Sequence, residues 1–329
     1  MLERYFIADL ADLIQKSLIA EVSMSNDSGH TLECVLLSSR GDLIKVSHDD
    51  VKIYTIETIS HNVISADIAS YMLLFATNQF VVYKSSSTIT SLYNSDVSKC
   101  LAGRGRAVLI LTDGTIITET KSHEGGIVKW REVPQVTNVV DGSCHGDVAV
   151  LIRSDGRIYI SDDSAPVEDD FTILPTVSDI SAVHCTTNVI FLLTMSGNVL
   201  YSGDINPTVF PSTTFKPFPL SNVVSMSVGR THALFLTSDG KLFGYGRNAD
   251  GEFGIPEHTA KNTLVHIQLS RLRFQGSSEA KPGLKIKKVL CGNGWSIIMD
   301  TKGDVYIIGR VYYDKVKTFM KIEGVNLLK

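Results

Sequence analysis

Five cysteines and nine histidines are the residues of this chain that could ligate a metal or act as nucleophile and base. A tetrahedral zinc site wants cysteine pairs two to four residues apart, and no two cysteines here are so spaced. Cys144, Cys185 and Cys291 instead recur at a fixed place: each stands twelve residues before a glycine at a short polar turn, and Val228 holds the same place before Gly240. A position that accepts Cys or Val is a packed strand position, where a free thiol behaves as a small hydrophobe. His145 and His184 flank two of these cysteines, but no third group is in view to orient a Cys–His pair. His30, His48, His61, His123, His258 and His266 are scattered, and no G-x-S-x-G, H-E-x-x-H or P-loop is present. "AGRGRA" at 102–107 is glycine-rich but precedes an apolar run and a turn, so it reads as turn-forming. No catalytic residue, metal or cofactor is expected.

The fixed offset points to the elements that carry it. "VSMSVGRTHALFLTSDGKLFGYGRNADGEFGIP" has an apolar run, a tight turn at Asp239-Gly240 and a second apolar run, which is a β-hairpin and not the strand–glycine–helix of a phosphate loop. The same hairpin is written seven times. The copies are "CVLLSSRGDLIKV", "MLLFATNQFVVY", "AVLILTDGTIIT", "AVLIRSDGRIYI", "IFLLTMSGNVLY", "ALFLTSDGKLFGY" and "SIIMDTKGDVYII". Their tips centre on residues 41, 79, 114, 156, 197, 240 and 303. The spacing is 35 to 43 residues until the last interval, which is 63. Gly114, Gly156, Gly197, Gly240 and Gly303 suit the positive φ that such tips need. The second copy has Asn78-Gln79 in place of glycine. A further strand precedes each hairpin, as in "NVVDGSC", "DISAVHC", "NVVSMSVG" and "IKKVLCG", and apolar segments with prolines precede those. A unit of about four short strands in about forty residues, written seven times, predicts an all-β, seven-bladed β-propeller. It would occupy 1–329 as one domain with an insertion at about 270–284.

The sixth unit resembles the repeat of the regulator-of-chromosome-condensation family, G-x-x-H-x-x-x-L-x-x-D-G-x-L/V-Y/F-x-W/Y-G-x-N-x-x-G-Q-L-G. Gly229, His232, Leu236, Asp239, Gly240, Leu242, Phe243, Tyr245, Gly246, Asn248, Gly251, Phe253 and Gly254 fall in register with it. The seventh unit keeps Gly292 and its hairpin, then departs. The other five keep the hairpin and the strand before it but lack the G-x-N-x-x-G-Q-L-G tail. The resemblance implies a seven-bladed propeller, with His232 as an architectural residue of the repeat. No Trp-Asp ending of the WD-repeat kind is present.

The chain has 43% hydrophobic and 20% charged residues, a net charge of −4 and a pI near 6.1. That balance suits a soluble globular protein and lacks the basic footprint of non-specific nucleic-acid binding. No apolar run reaches the about eighteen residues of a membrane span, and an odd number of cysteines does not form a disulfide framework. The N-terminus carries Glu3, Asp9 and Asp12 without a compact apolar core and cleavage site. A cytoplasmic or nuclear protein is expected, either a monomeric propeller or a subunit of a hetero-complex. Ring closure is expected through pairing of the N-terminal segment, or of residues 324–329, with the blade at the other end.

Two segments are candidate partner-binding loops. "SRLRFQGSSEAKPG" is basic, with Arg271, Arg273 and Lys281, and carries an apolar Phe274. "SDDSAPVEDDF" is acidic, with Asp162, Asp163, Glu168, Asp169 and Asp170, and could steer a basic partner. A disc with varied loops works as an interaction platform for a protein partner. A scaffold or adaptor, such as a subunit of a larger complex, is the expected function. The resemblance implies an alternative, a guanine-nucleotide exchange factor for a small GTPase. An inhibitor that occludes an enzyme with one propeller face is a third reading.

Overall fold

A computed structural model describes the strands between residues 19 and 92. It also describes residues 96–321 apart from 104–105, 121–128, 146–147, 162–170, 175–176, 187, 204–213, 256–262, 273, 275–282, 293 and 312–313. Seven four-stranded antiparallel sheets follow one another, each built from four consecutive strands. The first sheet holds β1 (Ile19–Met24), β2 (Glu33–Ser38), β3 (Leu43–His48) and β4 (Tyr54–Ser60). The second holds β5 (Val63–Ala69), β6 (Met72–Thr77), β7 (Val81–Lys84) and β8 (Ile89–Leu92). The third holds β9 (Val97–Ala102), β10 (Ala107–Leu111), β11 (Ile116–Thr120) and β12 (Lys129–Glu132). The fourth holds β13 (Val139–His145), β14 (Val148–Arg153), β15 (Ile158–Ser161) and β16 (Phe171–Leu174). The fifth holds β17 (Ile180–Cys185), β18 (Val189–Thr194), β19 (Val199–Gly203) and β20 (Lys216–Pro217). The sixth holds β21 (Val223–Val228), β22 (His232–Thr237), β23 (Leu242–Gly246) and β24 (Leu264–Ile267). The seventh holds β25 (Ile286–Cys291), β26 (Trp295–Asp300), β27 (Val305–Val311) and β28 (Asp314–Lys321). This is a β-propeller.

The second strand of each described blade is apolar almost without interruption. "AVLIL" of β10, "VIFLLT" of β18 and "HALFLT" of β22 are buried nearly end to end. A strand in a two-layer sandwich alternates; one covered on both faces does not. Here the neighbouring blades supply both covers. Ile152 and Ile158 of the fourth blade share a cluster with Ile180, Ile190 and Leu192 of the fifth. Leu234 and Leu242 of the sixth share one with Ile298, Tyr306 and Ile308 of the seventh.

The hairpin tips have one chemistry. In the third blade Gly114 donates its N–H to the Leu111 carbonyl at 3.0 Å, and Leu111 donates to the Thr115 carbonyl at 2.9 Å. That is a type I turn closed by a glycine bulge, which needs φ > 0 at the glycine. Gly114, Gly156, Gly197, Gly240 and Gly303 have φ of +82°, +77°, +82°, +80° and +86°. The tips then stitch blade to blade. The carbonyls of Gly114, Gly156 and Gly197 each accept from the first residue of the next inner strand, Val139, Ile180 and Val223, at 2.9 Å. The residues before those, Asn138, Asp179 and Asn222, sit at φ of 60°, 61° and 57°, a conformation that Asn and Asp tolerate best among residues with a Cβ.

Three expectations change or fall elsewhere. Phe274 is not a loop-borne anchor for a partner: it is 4% exposed. It stacks on Phe319 at 5.6 Å, meets Tyr306 edge-on at 5.1 Å, and forms a parallel bridge with Phe319. With Leu272 also buried, and 269–271 forming a turn of 3-10 helix, this end of the segment seals the seventh blade. An aromatic ring beside a half-open outer strand gains more from burial than from solvent. The expected closure through residues before Ile19 or 324–329 lies outside the described residues; β1 pairs with β2 and β28 with β27, within their own sheets. The tips at 41 and 78–79 also lie outside them.

Candidate interaction face

The residues of the sixth unit that stand out in sequence bolt the sixth blade to the seventh. His232 is fully buried on β22 and bonds through Nε2 to Ser296 Oγ of β26 at 2.9 Å. Burial holds its imidazole down to about 4, opposed by the Trp295 backbone, so it is neutral. Gly229 and Gly292 pass so closely that a Cβ on Gly229 would lie 2.2 Å from the Gly292 carbonyl oxygen. Asn248 Oδ1 accepts from the Phe253 N–H at 2.8 Å, and its amide donates to the Ile255 carbonyl at 3.2 Å. That turn drives the Phe253 ring under Gly244, and Gly254 against Phe319. Cys291, whose N–H donates to Ser227 Oγ at 2.9 Å, has its thiol pushed up to about 12 by burial and is a poor nucleophile. Among the described residues no cluster of three His, Cys, Asp or Glu could hold a metal, and no helix is long and apolar enough to cross a membrane.

In an up-and-down sheet the turns between second and third strands lie at one end, together with the start of the first strand and the link to the next blade. The inter-blade stitches align these ends, so the hairpin tips share one face, here called the tip face. In sequence the acidic stretch at 162–170 separates β15 from β16, and the basic stretch at 270–284 separates β24 from β25. Asp162, Asp163, Glu168, Asp169, Asp170, Arg273 and Lys281 lie outside the described residues, and Arg271 is described only as part of the 3-10 turn.

The tip face has a feature in every blade. All seven first strands break register at their second residue, between Ile19 and Glu21, Val63 and Ser65, Val97 and Lys99, Val139 and Asp141, Ile180 and Ala182, Val223 and Ser225, and Ile286 and Lys288. A bulge re-aims the residue it inserts. The inserted residues are Ala20, Ile64, Ser98, Val140, Ser181, Val224 and Lys287, and the five from Ser98 onward are exposed. Ser98 and Ser181 use the position to cap the second strand, donating to the Ile110 and Leu193 carbonyls at 3.0 and 3.2 Å. Val140 and Val224 have no hydroxyl to donate and are each 57% exposed. Met195, at the fifth tip, is 68% exposed, where the other described tips carry Thr112, Ser154, Ser238 and Thr301.

The charge on this face sorts into satisfied and unsatisfied groups. Asp155 is held below its usual range by the Arg157 guanidinium, which it meets at 2.6 Å, with Arg153 at 3.2 Å. Asp239 is lowered to about 2 by Lys241 and Thr237, and Asp113 is lowered by Thr115. Lys99 of β9 is salt-bridged to Asp141 of β13, across adjacent blades. Half-buried His184 on β17 is held down to about 4 by desolvation, with Asp141 opposing and Lys99 and Lys288 reinforcing. Lys285, Lys287 and Lys288, at the start of the seventh blade, are exposed and make no salt bridge to a described residue. Between the fifth and sixth blades a groove of about 450 Å³ opens beside Leu220, Asn222, Asp239 and Lys241. Sequence reasoning missed Val140, Met195, Val224 and the three lysines. The signal was available: aligning the seven units by their tip glycines puts Val against Ser and Met against Ser or Thr.

Comparison with known proteins agrees with this architecture. Residues 223–252 match the family described as regulator of chromosome condensation (RCC1) repeat. Protein RCC2 of Homo sapiens is 33% identical over 95 residues, 29% of this chain and 16% of that protein. Guanine nucleotide exchange factor SRM1 of Saccharomyces cerevisiae is 30% identical over 96 residues, 29% of this chain and 18% of that protein. The chain thus spans less than a fifth of the length of these curated relatives. Among solved structures, human WBSCR16 superposes with a TM-score of 0.65 at 12% identity, over 82% of this chain and 84% of that one. Prp20p of Saccharomyces cerevisiae, studied for its binding to Gsp1p and histones, superposes with a TM-score of 0.60 at 15% identity, over 79% and 77%. The fold is a β-propeller, and its sixth unit carries a repeat of the regulator-of-chromosome-condensation kind.

Proposed function

We propose that this chain is a non-catalytic protein-interaction platform, a scaffold or adaptor propeller that serves in the cytoplasm or nucleus as a subunit of a larger complex. The observation that carries this reading is the placing of Val140, Met195 and Val224, the exposed large apolar residues among those described, all on the tip face and on three consecutive blades. Scattered apolar residues on a surface need no explanation, but a group confined to one face is what a partner covers. The rigid blade-to-blade stitching beneath them supports the reading, because a preformed surface binds without an ordering cost.

A second reading, regulation of a small GTPase by nucleotide exchange, is favoured by the likeness to SRM1, named an exchange factor, and to Prp20p with its Gsp1p binding. Such a protein performs no covalent chemistry; it binds the nucleotide-free GTPase more tightly than the loaded one, and that difference expels the nucleotide. The family tail, which knots the sixth blade to the seventh, is missing from the other units, so most of the surface departs from the family pattern.

Affinity capture from native lysate, run once with GTP and magnesium and once with EDTA, separates the readings. Partners held in fixed proportion under both conditions are expected. A small GTPase enriched only under EDTA would replace the scaffold by an exchange factor.

A further inference from the structure

We propose that the tip face is a docking site for an acidic segment of a partner protein with apolar side chains, seated over the fourth to sixth blades and held by the lysines of the seventh. The inference rests on the platform reading and names the chemistry of its partner. The bulge position has a locally favourable occupant, serine, whose hydroxyl caps a strand carbonyl in the third and fifth blades. Valine in the fourth and sixth forgoes that bond and leaves its side chain more than half exposed. Methionine at the fifth tip does the same where its counterparts carry hydroxyls, and its unbranched thioether adapts to varied partners. Each choice is unfavourable for the free protein, and each becomes favourable once apolar side chains cover it.

Charge selects the occupant. Three carboxylates of this face are ion-paired, Asp155 by Arg153 and Arg157, Asp239 by Lys241 and Asp141 by Lys99, while Asp113, Asp179 and Asp300 are held by hydrogen bonds alone. Lys285, Lys287 and Lys288 make no salt bridge to a described residue, and Lys287 occupies the same bulge position as Val140 and Val224. Among the described bulge positions the charged one is thus cationic, and it follows Val224 of the neighbouring blade. Nucleic acid and anionic lipid also carry negative charge. Duplex DNA offers no apolar partner for two valines and a methionine on a flat face, and the chain as a whole is anionic with a net charge of −4. An acidic peptide meets both demands.

The test is selection from a displayed library of random twelve-residue peptides on the intact protein, followed by titration of the selected peptides. Two variants carry the readout. V140S/M195S/V224S installs residues that sister blades already use and should fold with an unchanged melting temperature. K285E/K287E/K288E reverses the cationic patch. The proposal expects selected peptides to combine Asp or Glu with aliphatic or aromatic residues, and to lose at least tenfold in affinity for each variant. Salt should weaken binding to the parent protein and to the serine variant. Acidic peptides that bind the serine variant undiminished would move the site elsewhere and overturn this inference while leaving the platform reading in place. Basic selected peptides, or no enrichment at all, would overturn it as well. A twenty-base-pair duplex or phosphatidylserine vesicles bound through the lysines alone would replace the protein partner by a nucleic acid or a membrane surface.

Discussion

His232 and Glu252, both buried in the sixth unit, respond to pH with opposite sign. His232 is held down to about 4 by burial, against 6.5 for the free side chain. Between those values the unfolded chain binds more protons than the folded one, so stability is complete above about pH 6.5 and is lost as pH falls towards 4. The loss has a ceiling of about 3 kcal/mol, from about 1.4 kcal/mol for each pH unit that separates the folded and unfolded values. The expected outcome is a melting temperature that drops on acidification from pH 7 to 4.5, and a shallower drop in H232Q, which keeps a polar group towards Ser296 without a titration. Glu252 stands where the family pattern has Gln. Burial raises its carboxyl, and Oε1 has no hydrogen-bond partner. The folded state therefore holds its proton more tightly, and stability is lost as pH rises through the folded value. E252Q should raise the melting temperature at pH 7 and change it less at pH 4, as read by thermal unfolding at both pH values.

Elements differ in how tightly a glycine is gripped. A Cβ on Gly156 would lie 2.8 Å from the Asp179 nitrogen and 2.9 Å from its Cα, whereas one on Gly240 would meet nothing within 4 Å. Both residues have φ near +80°. G240A should cost only the about 1–2 kcal/mol of left-handed backbone, and G156A at least twice that, by denaturant titration of the two variants. The difference has a structural source: the sixth tip lacks the stitch to the next blade, because the longer connection at 268–285 replaces the short link used elsewhere. Phe274 on that connection stacks between Tyr306 and Phe319, so F274A should cost about 3–5 kcal/mol. A partner-facing Phe274 would instead leave stability unchanged. Its composition gave the segment the look of a solvated basic loop. Burial depends on Phe319, 45 residues further along, and no local pattern announces such a pairing.

At the scale of the whole molecule, the fold class was legible because every unit states it independently. An apolar strand, a short turn and a second strand recur seven times, six of them with a turn glycine, and errors in one unit are outvoted by the rest. The family resemblance was legible through one unit, since the Asn248 knot needs Asn, Gly, Phe and Gly at set places. The working surface was less legible. Charge runs such as 162–170 draw the eye, but a site in a propeller is assembled from one position per blade, about forty residues apart. Topology is needed to decide that Val140, Met195, Val224 and Lys287 share a face.

Hydrogen exchange of the protein alone and bound to its captured partner tests that assignment most directly. The account predicts slowed exchange at 138–143, 194–197, 222–226 and 283–288, with the opposite end unchanged. Slowing confined to 101–107, 145–148, 186–189 and 229–232 would contradict it and put the partner on the other face.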